Sequence, residues 1–553
     1  IQTKTYKETG KKANLEDVKN LINKNKYDVT LEEGNMSATI EDIEKGYTFI
    51  VDENLNLQDV EKITNQDTSI VIETSSINKS DYTTATIKAK ITVGEEITSI
   101  KVREEEIEIP EKVEENGKLV YEIEKQVEKN GNYKIKAETT SGKANYKIQK
   151  VSDLSEDMEI RTAEELAWFR DRVNKGATYK ERTINLMNDI DLRSVCNSEK
   201  PWDSIGGYNY NKEEKYNKFS GTFKGNNKTI DYLYIENQED LSQGLFGYTD
   251  DATIMGVIIV EHSSINAKEI VGGIVGYAYN TTILNCGNNG GISGSEDCIG
   301  GIIGALEVGN IIGCYNKGKI IGAANVGGIC GDTMVEITKN KNGKCVIQYS
   351  YNAGTIELKE VNSSASVGGI VGYLEGYSTV KNCYNKGNII GNTGIYIGGC
   401  VGHSRAKSYT SIIENKFTTE ENAAAQINYT CNIGAVSSNG INGVGGICGM
   451  NNQYCIVKNN YILNNLEIKK DTTRATKDVG ETNDYLGKYV GRAYINTKTY
   501  IDANGEITNI AKIENETGDI TNTVYYIVNE MSSNNSEYWD KGNPTEPKLK
   551  WEL

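Results

Sequence analysis

The sequence is poor in several residue types on which other architectures depend. Only 4 of its 553 residues are proline and only 2 are histidine. No apolar run approaches the roughly 18 residues that a membrane-spanning helix needs. The two histidines, His262 and His403, are too far apart to form an HExxH zinc signature, which places both on one helix face. The cysteines also lack the CxxC spacing of zinc sites.

Glycine and acidic residues, by contrast, are abundant. The 56 glycines follow no Gly-x-y period, which excludes collagen and indicates many tight turns. The net charge of −17 argues against a nucleic-acid partner, because phosphates would be repelled. At 553 residues the chain should form several domains. Because it starts at Ile1 rather than at Met, we expect a signal or anchor segment to have been removed upstream.

Residues 1–66 predict a small α+β unit. Asn14 is a candidate N-cap for a helix with apolar residues Leu15, Val18, Leu21 and Ile22 on one face. Strand-like stretches follow at Tyr27–Leu31, Met36–Ile40 and Tyr47–Val51. With the stretch YTFIVDENLNLQDVEK, the unit resembles the soluble head of type IV pilin-like proteins of low-GC Gram-positive bacteria, although it lacks their long apolar helix.

Residues 67–152 alternate in strand fashion from SIVIET to ANYKIQK, which predicts six or seven short strands. Asn130-Gly131 and Ser141-Gly142 are expected to supply turns. The pattern resembles a bacterial immunoglobulin-like sandwich, and such modules act as spacers.

The pattern changes at Thr162, where residues 153–240 predict a cap helix and the first coils of a new domain. Thr162 and Glu165 form a capping box that opens a helix, and Gly176 ends it. Its apolar face comprises Leu166, Phe169 and Val173. Such a helix would cover the open strand edges at the end of a stack of coils.

A repeat of 27 to 30 residues runs through residues 241–465 where no insertion lengthens it. Its first half is VGGIVG or a variant of it, beginning at residues 271, 299, 326, 367, 397 and 444. Its second half reads LNCGNNGGI, IGCYNKGKI, QYSYNAGTI, KNCYNKGNI and NYTCNIGAV, beginning at 284, 312, 348, 381 and 428. This period, with β-branched stretches between Gly and Asn, predicts a solenoid of about three strands per turn. Successive turns would stack about 4.8 Å apart.

Stacking predicts columns of equivalent residues. One is apolar: Leu245, Ile274, Ile302, Ile329, Ile370, Cys400 and Ile447. One is small: Cys286, Cys314, Ser350, Cys383 and Thr430. One is asparagine, able to hydrogen-bond along the stack: Asn288, Asn316, Asn352, Asn385 and Asn432. These positions favour reading the 11 cysteines as small core residues, with disulfides as the alternative.

Two further columns raise questions of conformation. The glycines two residues after each asparagine are expected at corners with φ > 0: Gly290, Gly318, Gly354, Gly387 and Gly434. The residues after the apolar column should point outward by strict alternation: Val275, Ile303, Cys330, Val371, Val401 and Cys448. Either the flanking glycines bend the strand, or an apolar outer strip packs against a loop or another molecule.

The motifs INLMNDIDL (184–192), PWDSIGG (201–207), FSGTFKGNNKTI (219–230) and GLFGY (244–248), with the GGIVG repeats, resemble the GLUG-type repeat regions of bacterial surface proteins. Such regions occur in adhesins and in non-catalytic parts of immunoglobulin A-cleaving metalloproteases. The resemblance implies a right-handed parallel β-helix from about 155 to 465 and implies no reaction. Residues 466–553 are interpreted as final coils and a cap with an insertion.

Candidate site residues are few, and none is assigned a catalytic, cofactor-binding or metal-binding role. A polysaccharide-active site would use carboxylates, and the nearest pairs are Asp250 with Asp251 and Asp189 with Asp191. A hydrolytic site on either histidine has no supporting motif. Lys317 and Lys386 occupy equivalent turns, but Asn289, Ala353 and Ile433 interrupt a cationic ladder there. DANGE at 502–506 is interpreted as a turn rather than a calcium loop.

These features predict an all-β-dominated, non-enzymatic protein on the extracellular cell surface, with no cofactor. An adhesin is favoured, with a host or community glycan or protein as partner, bound through loops near 331–348, 403–427 and 466–520. A filament subunit that self-assembles through its N-terminal unit is the first alternative. A polysaccharide-active β-helix enzyme is the second.

Overall fold

The computed structural model describes the side chains of residues 67–103, 105–207, 217–334, 343–359, 365–392, 396–405, 425–438 and 443–451, with Val457 and Asn460. Between 28 and 62 and beyond 456 it otherwise describes the backbone of individual strands. The chain divides into two compact units, Ile1–Glu156 and Asp157–Leu553. The helix predicted after Asn14 lies outside the described residues. Over the described ranges, no helix combines the length and apolarity that crossing a membrane requires.

The first unit begins with a four-stranded antiparallel sheet whose strands follow chain order. Its strands are Asp28–Leu31, Ala38–Asp42, Tyr47–Val51 and Leu57–Lys62. The three predicted strands are present, with the second shifted by two residues, and Leu57–Lys62 is additional.

A β-sandwich follows in the same unit, built from two four-stranded antiparallel sheets. One contains Val71–Asn78, Ala85–Val93, Lys118–Val127 and Val113–Glu115 in spatial order. The other contains Ala144–Val151, Gly131–Thr139, Ile97–Val102 and Glu105–Ile107. Alternate residues of the longer strands, such as Ala85–Val93, enter one shared core, where Ile87, Ile91 and Ile135 are fully buried.

The turns of the sandwich match the prediction in one of two places. Ser141-Gly142 closes a hairpin, with Gly142 at φ +78° and its N–H donating to the Thr139 carbonyl at 2.9 Å. Asn130-Gly131 instead connects strands of different sheets and forms no hairpin. A hairpin that the prediction missed turns at Asn116-Gly117, where φ is +53° and +74°. Both residues need positive φ there, which explains the Asn-Gly pair.

The second unit opens with the short strand Met158–Ile160 and the helix α1, Ala163–Asn174. The Thr162 hydroxyl accepts a hydrogen bond from the Glu165 N–H at 3.3 Å, as the capping box predicts. The predicted apolar face is fully buried, at Leu166, Phe169 and Val173. Phe169 packs on Phe219 at 5.6 Å between ring centroids, so the helix covers the first coils.

Three sheets then form a β-helix, and their strands are parallel except for Thr473–Arg474, which pairs antiparallel with Ile468–Lys470. The long sheet has 24 strands: Met158–Ile160, Thr183–Leu186, Ile190–Asp191, Thr222–Asp231, Phe246–Asp250, Thr253–Ile259, Val275–Leu284, Gly287–Asn288, Ile303–Ile312, Tyr315–Asn316, Cys330–Thr333, Cys345–Gln348, Tyr351–Asn352, Val371–Glu375, Ser378–Lys381, Tyr384–Asn385, Val401–Arg405, Gln426–Asn428, Cys431–Asn432, Cys448–Asn451, Ile456–Lys458, Tyr461–Ile462, Val490–Ala493 and Ile513–Glu514. The 3₁₀ turn Leu192–Ser194 follows its third strand.

The two other sheets are shorter. The nine-stranded sheet contains Tyr234–Asn237, Ser264–Ala267, Gly291–Gly294, Ile320–Gly322, Ile356–Leu358, Ile389–Ile390, Val436–Ser438, Ile468–Lys470 and Thr473–Arg474. The seven-stranded sheet contains Val271–Gly272, Ile299–Gly300, Val326–Gly327, Ser366–Gly368, Tyr396–Gly398, Val444–Gly445 and Leu486–Gly487. Two antiparallel pairs complete the described strands: Tyr500–Ile501 with Ile507–Thr508, and Trp539–Asn543 with Glu546–Leu549.

The corner between the seven-stranded and long sheets explains why the residues directly after the first apolar column, such as Val275 and Ile303, are also apolar. The chain bends at residues 273–274, between strands Val271–Gly272 and Val275–Leu284. The described members of both columns are fully buried. Phe246, which pairs with Val275, lies against Phe219 and Phe223 in the core at 5.3 and 5.2 Å. The bend, and not an apolar outer strip, accounts for the pattern.

The asparagine column forms a continuous hydrogen-bonded ladder in the core. The side-chain Nδ2 of each of the first four residues donates to Oδ1 of the next, at 2.8 to 2.9 Å. Asn352, for example, also donates to the Gly354 carbonyl at 2.8 Å and accepts from the Gly354 N–H at 3.2 Å. All five asparagines are fully buried. Their amide groups are thereby satisfied without water, as burial requires.

The glycines that follow the asparagines do not have the predicted positive φ. They are needed for close approach instead, because the backbones of successive coils nearly touch there. A Cβ at Gly318 would lie 1.9 Å from the Gly290 carbonyl oxygen, and one at Gly354 would lie 2.0 Å from that of Gly318. No Cβ fits at such distances, so the positive-φ prediction was wrong and steric exclusion replaces it.

Gly354→Ala should therefore destabilise the β-helix strongly, by about 2 kcal/mol or more, because the new methyl group overlaps backbone that cannot move. Gly291→Ala is the matched control, since a Cβ there meets nothing within 4 Å. Urea denaturation followed by circular dichroism would measure both. Equal stability of the two variants would contradict the close-approach explanation.

The small column confirms the interpretation of the cysteines. Cys286, Cys314 and Cys383 are fully buried, in register with Ser350 and Thr430. The Cys286 N–H donates to the Cys314 sulfur at 3.4 Å, so the column is hydrogen-bonded as well as packed. All ten cysteines among the described residues are free and buried. Burial raises the pKa of Cys383 to about 12, which keeps its thiol protonated at neutral pH.

Thiol titration in the folded protein should therefore find the ten described cysteines unreactive at neutral pH, because reaction needs an accessible thiolate. After unfolding without reductant, at least ten of the 11 cysteines should titrate. Substantially fewer reactive thiols after unfolding would show that pairs had formed disulfides.

Candidate functional site

A two-column surface lies on the outer face of the long sheet, and we call it the outer grid. Beyond the glycine that the ladder register skips, such as Gly276 or Gly304, successive strand residues point to opposite sides. The residues between its columns, such as Ala278, Leu306 and Thr333, are fully buried against the core. The grid residues therefore face away from the core, in rows about 4.8 Å apart. Column one is Tyr248, Tyr277, Ala305, Asp332, Tyr373 and His403, and column two is Asp250, Tyr279, Glu307, Met334, Glu375 and Arg405.

The corner that precedes the seven-stranded sheet packs against one edge of the grid. Leu241, Ile270 and Cys298 form a buried cluster there with Tyr277 and Ala305. Tyr248 and Tyr279 pack on the same cluster and stay partly exposed. This edge fixes the aromatic rings, with Tyr248 and Tyr277 5.5 Å apart between centroids. The aromatic part of the grid is thus held in place by its own packing.

Two grid carboxylates are almost completely buried. Glu307 is 3% exposed and accepts a hydrogen bond from the Tyr277 hydroxyl through Oε2. Its Oε1 has no hydrogen-bond partner among the described residues. Asp332 is 6% exposed, and its Oδ2 accepts from Asn325 Nδ2 at 3.1 Å and from the Cys298 thiol at 3.9 Å. Burying a hydrogen-bond acceptor without a donor costs free energy, so a donor that reached Glu307 Oε1 would be bound favourably.

Further carboxylates lie at the corner beside column one. Burial, with the charges of Glu296 and Asp297, raises the pKa of Glu269. Burial likewise raises the pKa of Asp297, against hydrogen bonds that lower it. The pKa of Cys298 is raised by burial and then by the charges of Asp332, Asp297 and Glu269. The corner therefore groups carboxyl groups whose charged form is disfavoured by burial, with Lys268 at 3.6 Å from Glu296.

The far end of the grid is aromatic and carries its one cation. His403 lies between Tyr373 and Tyr396, with ring centroids 4.8 Å apart in each case. Burial, and then the charge of Arg405, lowers the pKa of His403 to about 4. Its Nε2 has no hydrogen-bond partner within the described part of the chain. Arg405 donates to the Tyr373 hydroxyl at 3.4 Å.

Two of the segments that lengthen the repeat begin directly after residues of this grid. Residues 335–342 follow Met334, and residues 406–424 follow Arg405. Met334 and Arg405 both belong to column two. In the regular coils the same position is the uninterrupted strand Val275–Leu284 or Ile303–Ile312. The loops predicted near 331–348 and 403–427 therefore begin next to the outer grid, while most of 466–520 lies outside the described residues.

The structure does not assemble the predicted carboxylate pairs into a catalytic site. Asp250 pairs with Lys218 at 2.6 Å, and Asp251 accepts from Asn280 Nδ2 at 2.6 Å. Asp189 accepts from the Thr229 N–H at 2.8 Å. Asp191 caps the 3₁₀ turn and pairs with Arg193 at 2.5 Å, which lowers its pKa. Each carboxylate makes a local structural contact.

The remaining predicted positions are also separate from one another. His262 is exposed, stacks on Tyr232 at 5.1 Å and contacts Asp231 at 3.1 Å through Nδ1. Lys317 and Lys386 occupy equivalent turns with Ala353 between them, as the register predicts. Residues 502–506 lie outside the described residues. Across the described ranges, no three His, Cys, Asp or Glu side chains are arranged to hold a metal ion.

The outer grid was not predicted from the sequence, although the sequence contains the alternating pattern that indicates it. After the apolar-Gly pairs that end at Gly276, Gly304, Gly331, Gly372 and Gly402, the sequence continues as YAY, ALE, DTM, YLE and HSR. The second letter of each triplet lies on the core face, and the first and third letters lie in the grid. Alternation beyond the GGIVG motif would have separated them.

Together the fold and the grid define a parallel β-helix protein with an aromatic and acidic outer surface. In a comparison with known protein families, the family model for the GLUG motif matches residues 363–390. The match coincides with one coil, from strand Ser366–Gly368 to strand Ile389–Ile390. The chain is also similar to halomucin of Haloquadratum walsbyi (strain DSM 16790 / HBSQ001), with 29% identity over 133 residues. That stretch is 24% of this chain and 1% of halomucin.

The free energy of unfolding should fall as the pH drops from about 6.5 to about 4. Over this range His403 is protonated in the unfolded chain but stays neutral in the folded chain, where its pKa is about 4. His403→Phe removes this contribution, so wild type should lose about 2 to 3 kcal/mol more than the variant over that window. Urea denaturation at pH 7 and at pH 4 measures the difference, with the exposed-site variant His262→Phe as control. Identical pH profiles of wild type and His403→Phe would contradict the assignment.

Proposed function

We propose that this chain is an extracellular surface protein that acts as an adhesin, binding its partner on the β-helix. The observation that carries the proposal is the outer grid, where preformed aromatic and acidic residues lie beside the roots of the inserted segments. Loops on a rigid scaffold are where binding residues concentrate. The GLUG motif and the similarity to halomucin support a surface role.

A binding role fits the chemistry of the second unit better than a catalytic one. The carboxylates that a polysaccharide-active site would use are held by Lys218, Asn280 and Arg193 in structural contacts. The grid, by contrast, combines ring faces with hydrogen-bond acceptors, which is the composition of recognition surfaces. The sandwich of the first unit acts as a spacer in this proposal, in keeping with its predicted immunoglobulin-like character.

Deleting the coding sequence should reduce attachment of the producing cells to their natural surface, and the full chain should restore it. Antibody labelling of intact cells should then show sparse labelling on the cell surface. Regular polymers labelled at every repeat would overturn the adhesin in favour of a filament subunit.

The alternative that the chain is a polysaccharide-active enzyme is tested by measuring turnover. Turnover of a neutral or acidic polysaccharide by the full chain, abolished in Asp250→Asn, would move the function to an enzyme. Normal attachment by the deletion strain would contradict the adhesin directly.

A further inference from the structure

We propose that the outer grid binds a basic polypeptide segment of the partner, receiving its lysine or arginine side chains between tyrosine rings and buried carboxylates. The inference rests on the proposed surface-binding function and names the chemistry of the partner.

Charge complementarity is the first support. Among the grid residues, Glu307, Asp332 and Glu375 are acidic and Arg405 is basic, while the fourth carboxylate, Asp250, is already paired with Lys218 at 2.6 Å. The corner beside column one adds Glu269, Glu296 and Asp297, with Lys268 at 3.6 Å from Glu296. The whole chain has a net charge of −17, so its long-range field also attracts cations. A polyanionic partner would be repelled at this surface.

The buried acceptor is the second and independent support. Glu307 has one oxygen held by the Tyr277 hydroxyl and the other without a donor among the described residues. A lysine ammonium or an arginine guanidinium supplies the missing donor and compensates the buried charge at once. A neutral hydroxyl would supply only the hydrogen bond.

The rings beside Glu307 are the third support. Tyr279 pairs with Glu307 on the adjacent strand, and Tyr277 lies two residues away on the same face as Tyr279. Tyr248 packs 5.5 Å from Tyr277 and extends the aromatic surface by one row. Cations bind to the faces of aromatic rings, and the attraction grows when water is excluded. Rings and carboxylate together therefore favour an organic cation.

The arrangement in rows makes an extended segment a better fit than a single side chain. Beyond Asp250, which pairs with Lys218, acidic residues recur on three successive coils, at Glu307 and Glu375 in column two and at Asp332 in column one. Each coil adds about 4.8 Å, so the two columns together offer acceptors on consecutive coils. Several basic side chains can bind at once, which raises the overall affinity above that of one contact.

The test uses the full chain and a fluorescent oligolysine peptide, with binding followed by fluorescence anisotropy. The double variant Glu307→Gln with Asp332→Asn should lose about tenfold or more in affinity, because two buried acceptors lose their charge. The matched control is Glu236→Gln with Glu261→Gln, which removes the same net charge from exposed positions elsewhere on the β-helix. The control should lose less than about twofold. Binding should also weaken as salt is raised.

Tyr279→Ala provides a second route to the same site if the double variant fails to fold. It should weaken oligolysine binding while leaving every carboxylate in place. Thermal unfolding of each variant separates a lost contact from a lost fold.

Several outcomes would overturn the inference. Equal losses in the double variant and its control would show attraction by net charge alone. Binding of a glucosamine or N-acetylglucosamine oligomer at the grid in preference to oligolysine would identify a glycan site instead. Cell attachment that persists in the double variant would refute the basic partner while leaving the adhesin proposal intact.

Discussion

Contact between the backbones of successive coils is the constraint on which the β-helix depends. At Gly318, Gly354 and Gly387 a Cβ would lie 1.9 to 2.0 Å from the carbonyl oxygen of the glycine one coil away. Only this approach brings neighbouring asparagine side chains within 2.8 to 2.9 Å, so the ladder and the glycines require each other. Together they fix the register, since a slipped coil would lose buried hydrogen bonds.

The same register positions the outer grid. Because each strand residue lies opposite its equivalent one coil away, an aromatic or acidic residue in one repeat is placed against the corresponding residue of the next. The core columns tolerate little change, whereas the grid columns vary from Tyr to Ala, Asp and His without disturbing the coil. The fold thus separates positions that specify structure from positions free to specify recognition.

The sequence was sufficient to predict the solenoid, its columns, the helix cap and the buried cysteines, because each leaves a repeated local pattern. The sequence was insufficient where the role or burial of a residue depends on distances between successive coils. The role of Gly354 was misjudged because positive φ and steric exclusion both select glycine, and only the gap to Gly318 tells them apart. The burial of Glu307 could not be predicted either, since it depends on Tyr277 and on a corner that approaches from another part of the coil.

Because folding buries the thiols, the cysteines are protected from oxidation only once the coils have formed. In the unfolded chain the cysteines are accessible and have ordinary acidity, so an oxidising environment can join any two of them. Once the coils form, the described thiols are inaccessible and protonated. Coil formation therefore competes with oxidation, and every coil that forms withdraws its cysteines from mispairing.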